Sequence, residues 1–188
     1  MSQFRCHILA AAASLPLLTG AAAPAEEAAI PELFELSRAS NAALMQGEID
    51  KYQSLLTLSD DFLLMSPFGG TPTHARDITP ETMARMGRFF RNGDLRLELV
   101  NGWASKDMVA LALIERSHVA VGDVPEQEWA LRVTLVYKRD AKGWTLAHRH
   151  ADPLVGGIAM KEAAELAARP APTPAAPPPA VQQAKPGQ

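Results

Sequence analysis

The hydrophobic pattern changes period once, at Leu95, and that single change constrains the fold more than any other feature of the chain. Before it, apolar residues recur at helical spacing. Residues 32–46 read as a helix: Pro31 suits its first turn, Leu33, Leu36, Ala39, Ala43 and Leu44 lie near one face, and Gly47 ends it. A second helix, about 48–58, repeats the pattern with Ile49, Tyr52, Leu55 and Leu56 until Asp60-Asp61 breaks it. Residues 62–65 form a short apolar strand, stopped by the turn Ser66-Pro67-Phe68-Gly69-Gly70. Thr79 caps a third helix with Pro80 at its first position, a stripe of Met83, Met86, Phe89 and Phe90, and a stop at Asn92-Gly93.

From Leu95 the period is two. Leu95, Leu97 and Leu99 alternate with Arg96 and Glu98, and residues 108–118 are apolar on both faces as far as Ile114. In 128–139, Trp129, Leu131, Val133, Leu135 and Tyr137 alternate with polar residues, and after a turn at 140–143 the last strand covers 144–152. Helices followed by hairpin-linked strands predict an α+β fold with an antiparallel sheet, and a short helix over 157–168 follows.

The two ends stand apart from this domain. Residues 1–25 read as a secretory signal: Arg5, an apolar stretch over 8–18, and small residues ending in Ala23 and Ala25. The domain proper then covers 26–158, with a short helix and a Pro/Ala-rich tail over 159–188. Seven of the 15 prolines fall in the last 19 residues, a composition for an extended, solvated segment. Removing the signal leaves 17 basic against 21 acidic residues and no cysteine, because Cys6 goes with it. The expected location is periplasmic or secreted, without a membrane span after signal removal. Thiolate catalysis, disulfides and Cys-ligated zinc are excluded from the mature chain, and the negative net charge argues against nucleic-acid binding.

Several strings resemble one family. Gly47-Glu48-Ile49-Asp50, Asp60-Asp61 ahead of an apolar strand, the Ser66 to Gly70 turn, and the ending Trp144-Thr145-Leu146-Ala147-His148-Arg149-His150-Ala151-Asp152-Pro153 resemble the SnoaL-like and ketosteroid-isomerase-like branches of the nuclear transport factor 2-like superfamily. The resemblance spans about residues 30–155. It implies a cone-shaped curved antiparallel sheet wrapped by N-terminal helices, with a pocket inside the cone. It does not carry the isomerase mechanism. Where such isomerases place a general-base aspartate this chain has Ser66, which has no activating base. Ser40 stands where they have an oxyanion-hole tyrosine, and Arg132 at or near their protonated aspartate, where a permanently charged group replaces a neutral donor.

The chemistry-bearing candidates are few. His148 and His150, two apart on a strand, share a face with Trp144 and Leu146 and leave Arg149 on the other. They can act as acid/base, with Asp61 hydrogen-bonded across the cone in a His–Asp dyad. A metal would need a third ligand from His74, His118, Glu115 or Asp61, and no motif supports one, so no metal and no cofactor are expected. Arg132 and Thr134 share a face of the neighbouring strand. Parity leaves that face open; the inner one, preferred here, makes Arg132 a carboxylate or phosphate clamp, and the outer one makes it a cross-strand partner. Ser66, Tyr52 and Trp144 complete the expected ligand-binding set.

Three functions follow in order. The first is an exported, homodimeric domain that binds a small, partly apolar molecule, anionic if Arg132 faces inward, without turnover. The second is a lyase, isomerase or cyclase using the histidine pair. The third is a cell-envelope interaction module using the sheet and the tail.

Overall fold

The computed structural model of the chain describes residues 25–141 and 143–169. The expected signal sequence and the Pro/Ala tail lie outside the described residues. Twelve elements follow in order: α1 (Ala25–Met45), α2 (Ile49–Leu55), β1 (Leu58–Met65), β2 (Thr73–His74), a 3-10 turn (Ala75–Asp77), α3 (Pro80–Phe89), β3 (Phe90–Arg91), β4 (Arg96–Ala104), β5 (Met108–Val121), β6 (Val124–Asp140), β7 (Gly143–Pro153) and α4 (Met160–Ala167). No described helix is long and apolar enough to cross a membrane.

The local signals act where they were read, with two differences. α3 starts as Thr79 and Pro80 dictate: the Thr79 side chain accepts from the Thr82 backbone N–H. α1, however, begins at Ala25 and carries Pro31 inside it. Asp60 and Asp61 do not end a helix but lie within β1, since α2 stops at Leu55. Between α1 and α2, Gly47 takes φ +78°, and a Cβ there would stand 2.8 Å from the Gly87 carbonyl oxygen, so glycine is required by conformation and space.

The sheet runs β2-β1-β7-β6-β5-β3, with β4 also paired to β5. The β4, β5, β6 and β7 hairpins are antiparallel as their alternation predicts. β1 joins β7 in parallel, which makes the sheet mixed; this long-range pairing has no local signature. The helices cover the inner face. Leu33 of α1, Leu111 and Leu113 of β5, Leu135 and Tyr137 of β6 and Leu146 of β7 are almost wholly buried there. Polar residues share that interior: Ser37, Ser40 and Asn41 from α1, and Glu115 from β5.

A β-bulge sets the faces of β7. Val136 is opposite His148, but the next residue, Tyr137, is opposite Leu146, so Ala147 is the extra residue. Leu146 therefore turns inward with Tyr137, while His148 and His150 turn outward. The expectation that Trp144 and Leu146 share the histidine face fails here, because a one-residue insertion reverses strand parity.

Candidate functional site

The interior holds a polar cluster built from three elements. Glu115 falls on the inward row of β5 with Val109, Leu111 and Leu113, and Arg149 on the inward row of β7, opposite Leu135. They form a forked ion pair: Arg149 Nη1 donates to Glu115 Oε1 at 2.8 Å and Nη2 to Oε2 at 2.7 Å. Asn41 Nδ2 of α1 donates to the same Oε1 at 3.0 Å. Glu115 is thus satisfied by three donors at 4% side-chain exposure, against 15% for Arg149. Burial pushes the Arg149 guanidinium down, and the Glu115 carboxylate more than offsets that, so the arginine stays charged.

Two tyrosines stand beside the pair. Tyr137 Oη lies 2.8 Å from Ser37 Oγ, which also donates to the Leu33 carbonyl. Burial pushes the Tyr137 phenol up to about 12. Burial also raises Tyr52, and the nearby positive charge of Arg149 works against it. Tyr52 has a second neighbourhood. It lines a cleft of about 470 Å³ between α2 and α3, with Ile49, Leu56, Ile78 and Met83 as apolar wall and Asp50 and Thr79 among its polar members. Tyr52 therefore separates this open cleft from the sealed cluster.

The sequence candidates do not converge on either place, Tyr52 apart. Arg132 is on the outer face, 63% exposed, and meets Asp152 at 3.7 Å. The preference for an inward Arg132 is thereby corrected: Leu131 and Val133 hold the inward positions, and strict alternation sends Arg132 and Thr134 out. Thr134 is opposite His150 on that outer face. His148 Nδ1 lies 3.0 Å from the Leu63 carbonyl oxygen, and His150 Nε2 lies 3.6 Å from Asp152 Oδ1. Asp61 meets no histidine, which corrects the expected dyad. It pairs with Lys138 and accepts from Ser59 Oγ at 2.7 Å, and the Lys138 hydrogen bond holds its carboxylate below the ordinary value. Ser66 Oγ accepts from the Phe68 backbone N–H and shapes the turn whose Phe68 ring packs on Phe89 and Trp129. Trp144 is half-buried under the Arg139 guanidinium, 5.3 Å from the ring centre.

Sequence reasoning missed Arg149, Asn41, Ser37 and Tyr137, and weighed Glu115 as a metal ligand. One signal was available: Glu115 breaks the apolar inward row of β5, and a charge there requires an opposite charge across the cone.

Comparison with known proteins agrees with this architecture. Among curated proteins, none matches the chain. The solved structures that it resembles in fold include three nuclear transport factor 2-like proteins. A nuclear transport factor 2-like superfamily protein from Salmonella enterica is 15% identical, with a TM-score of 0.57 over 71% of this chain and 97% of its own. A nuclear transport factor 2-like protein of unknown function from Pseudomonas putida is 18% identical, with a TM-score of 0.56 over 72% and 92%. A nuclear transport factor 2-like family protein from Streptomyces avermitilis is 17% identical, with a TM-score of 0.57 over 69% and 99%. At these identities the likeness is one of fold. The SnoaL-like domain family matches residues 35–155, which spans α1 to the end of β7. The chain therefore belongs to the SnoaL-like family, within the nuclear transport factor 2-like superfamily.

Proposed function

We propose that this is an exported domain that binds a small, partly apolar molecule in the cleft between α2 and α3, without turnover and without ketosteroid isomerase activity. The observation that carries the reading is the cleft itself: about 470 Å³, apolar walled, with the Tyr52 side chain set into it. Its polar members include the Asp50 carboxylate and no cation, so the ligand is neutral or positively charged. The anionic ligand expected from an inward Arg132 loses its support, because Arg132 faces out and Arg149 is already neutralised by Glu115. Turnover is disfavoured because the histidine pair and Asp61 point away from this cleft.

Self-association belongs to the same reading. Val100, Trp103 and Met108 are 60%, 57% and 46% exposed along the β4–β5 side of the sheet, a patch suited to a second copy. The homodimer, the export and the periplasmic or secreted location are part of the proposal.

Mass spectrometry of the purified protein under native conditions, with thermal-shift screening of neutral and amine compounds, tests the central part. A retained molecule, lost in an Ala84→Trp variant that fills the cleft, supports it. Catalytic conversion of the retained molecule contradicts the non-enzymatic reading and favours the lyase or isomerase alternative.

A further inference from the structure

Two imidazoles and one thioether come together on the outer face where β1 runs parallel to β7. His148 and His150 both project outward, with ring centres 6.3 Å apart. The register sets Leu63 beside His148 and Met65 beside His150. Adjacent strands lie about 4.8 Å apart and paired residues share a face. The Met65 thioether thus emerges next to His150; Met65 is 38% exposed, while Phe62 of the same strand is buried.

One nitrogen of His148 is held by a hydrogen bond, and one nitrogen of His150 lies beside a carboxylate. His148 Nδ1 is fixed by the Leu63 carbonyl at 3.0 Å, which as an acceptor requires the N–H there and leaves Nε2 with its lone pair. His150 Nε2 faces the Asp152 carboxylate at 3.6 Å, which leaves Nδ1. Imidazoles that bind metals have their second nitrogen held by a carbonyl or a carboxylate, as His148 has. Among the described residues no three His, Cys, Asp or Glu side chains form a metal-holding group, so a third protein ligand here has to be of another type. Met65 is that type. The two cations on the outward row of the adjoining strand are met by carboxylates, Arg132 by Asp152 at 3.7 Å and Lys138 by Asp61.

We propose that Met65, His148 and His150 form a copper site on the outer face of the sheet. Thioether sulfur selects Cu⁺, and imidazole accepts both copper oxidation states, whereas neither suits Mg²⁺ or Ca²⁺. The site is separate from the α2–α3 cleft, so it stands or falls independently of the proposed ligand, while His150 shares an outer-face groove with Val100 of the β4–β5 patch. It also departs from the expectation of no metal, which rested on the lack of a metal-binding motif in the sequence.

The test is copper titration of the full chain carrying Cys6→Ser and His7→Ala, which removes the N-terminal thiol and imidazole. Cu⁺ is titrated against a competing chromophoric chelator, and Cu²⁺ is followed by electron paramagnetic resonance. The expected result is one copper per chain, with nitrogen hyperfine structure in the Cu²⁺ spectrum. His148→Ala with His150→Ala abolishes binding of both ions, while His118→Ala changes neither. Met65→Leu, an exposed substitution that leaves the melting temperature unchanged, lowers Cu⁺ affinity at least about tenfold and spares Cu²⁺. Copper binding that survives in the double histidine variant, Zn²⁺ binding tighter than Cu⁺, or an unchanged Cu⁺ affinity in Met65→Leu overturns the proposal.

Discussion

The two faces of the sheet carry the same ion-pair chemistry to opposite ends. Inside, Arg149 and Glu115 meet as a fork at 2.7 and 2.8 Å, almost free of solvent, with Asn41 completing the carboxylate. Outside, Arg132 and Asp152 stand 3.7 Å apart and about half exposed. Burial, not the identity of the residues, decides what each pair is worth. Solvent already screens the outer charges and satisfies them when they part, whereas the inner charges have only each other. The inner pair therefore fixes how α1, β5 and β7 meet, and the outer arginine remains available to a ligand or a neighbour.

The largest expected effect breaks the inner pair. Glu115→Ala leaves the Arg149 charge buried and unmatched and costs about 3–5 kcal/mol in urea unfolding. Glu115→Leu combined with Arg149→Met removes both charges together and recovers most of that loss; a double variant as unstable as the single one would mean that the network holds the fold by more than charge matching.

Alkaline pH sharpens the same contrast through Tyr137. Its phenol ionises near 10 in the unfolded chain and near about 12 in the fold, so stability holds below about pH 10 and falls as pH rises towards 12, by about 2–3 kcal/mol. Tyr52 is raised in the same direction and adds to the fall. Unfolding measured at a series of pH values, with Tyr137→Phe as the control that lacks this contribution, checks the sign. At neutral pH the same Tyr137→Phe change costs about 1 kcal/mol, the hydrogen bond to Ser37. Arg132→Ala is the smallest case, below about 1 kcal/mol, and a larger loss would show that the outer pair is not the loose surface contact its geometry describes.

Sequence alone resolved one of these faces better than the other. Alternation in residues 128–139 placed Leu131, Val133, Leu135 and Tyr137 on one row, and that row is the core. It left open which row faced inward for Arg132, because a curved sheet gives both faces apolar members: Ala110, Ala112 and Ile114 line the outer side of β5 while Val109, Leu111 and Leu113 fill the inner. Two long-range features were beyond local pattern. The bulge at Ala147 breaks the parity that put Leu146 with the histidines, and the parallel β1–β7 pairing sets Met65 beside His150 from 85 residues away. The cleft was legible only through Tyr52, since its other wall comes from α3, and the packing of α2 on α3 has no local signal.

Methyl-resolved NMR of the protein titrated with the molecule it retains tests the central claim most directly. The account predicts that the Ile49, Ile78 and Met83 methyl signals, all in the α2–α3 cleft, shift together and saturate at one equivalent. Shifts confined to Val100, Ala112 and Ile114, around the groove that Arg132 and His150 border on the outer face, would contradict it.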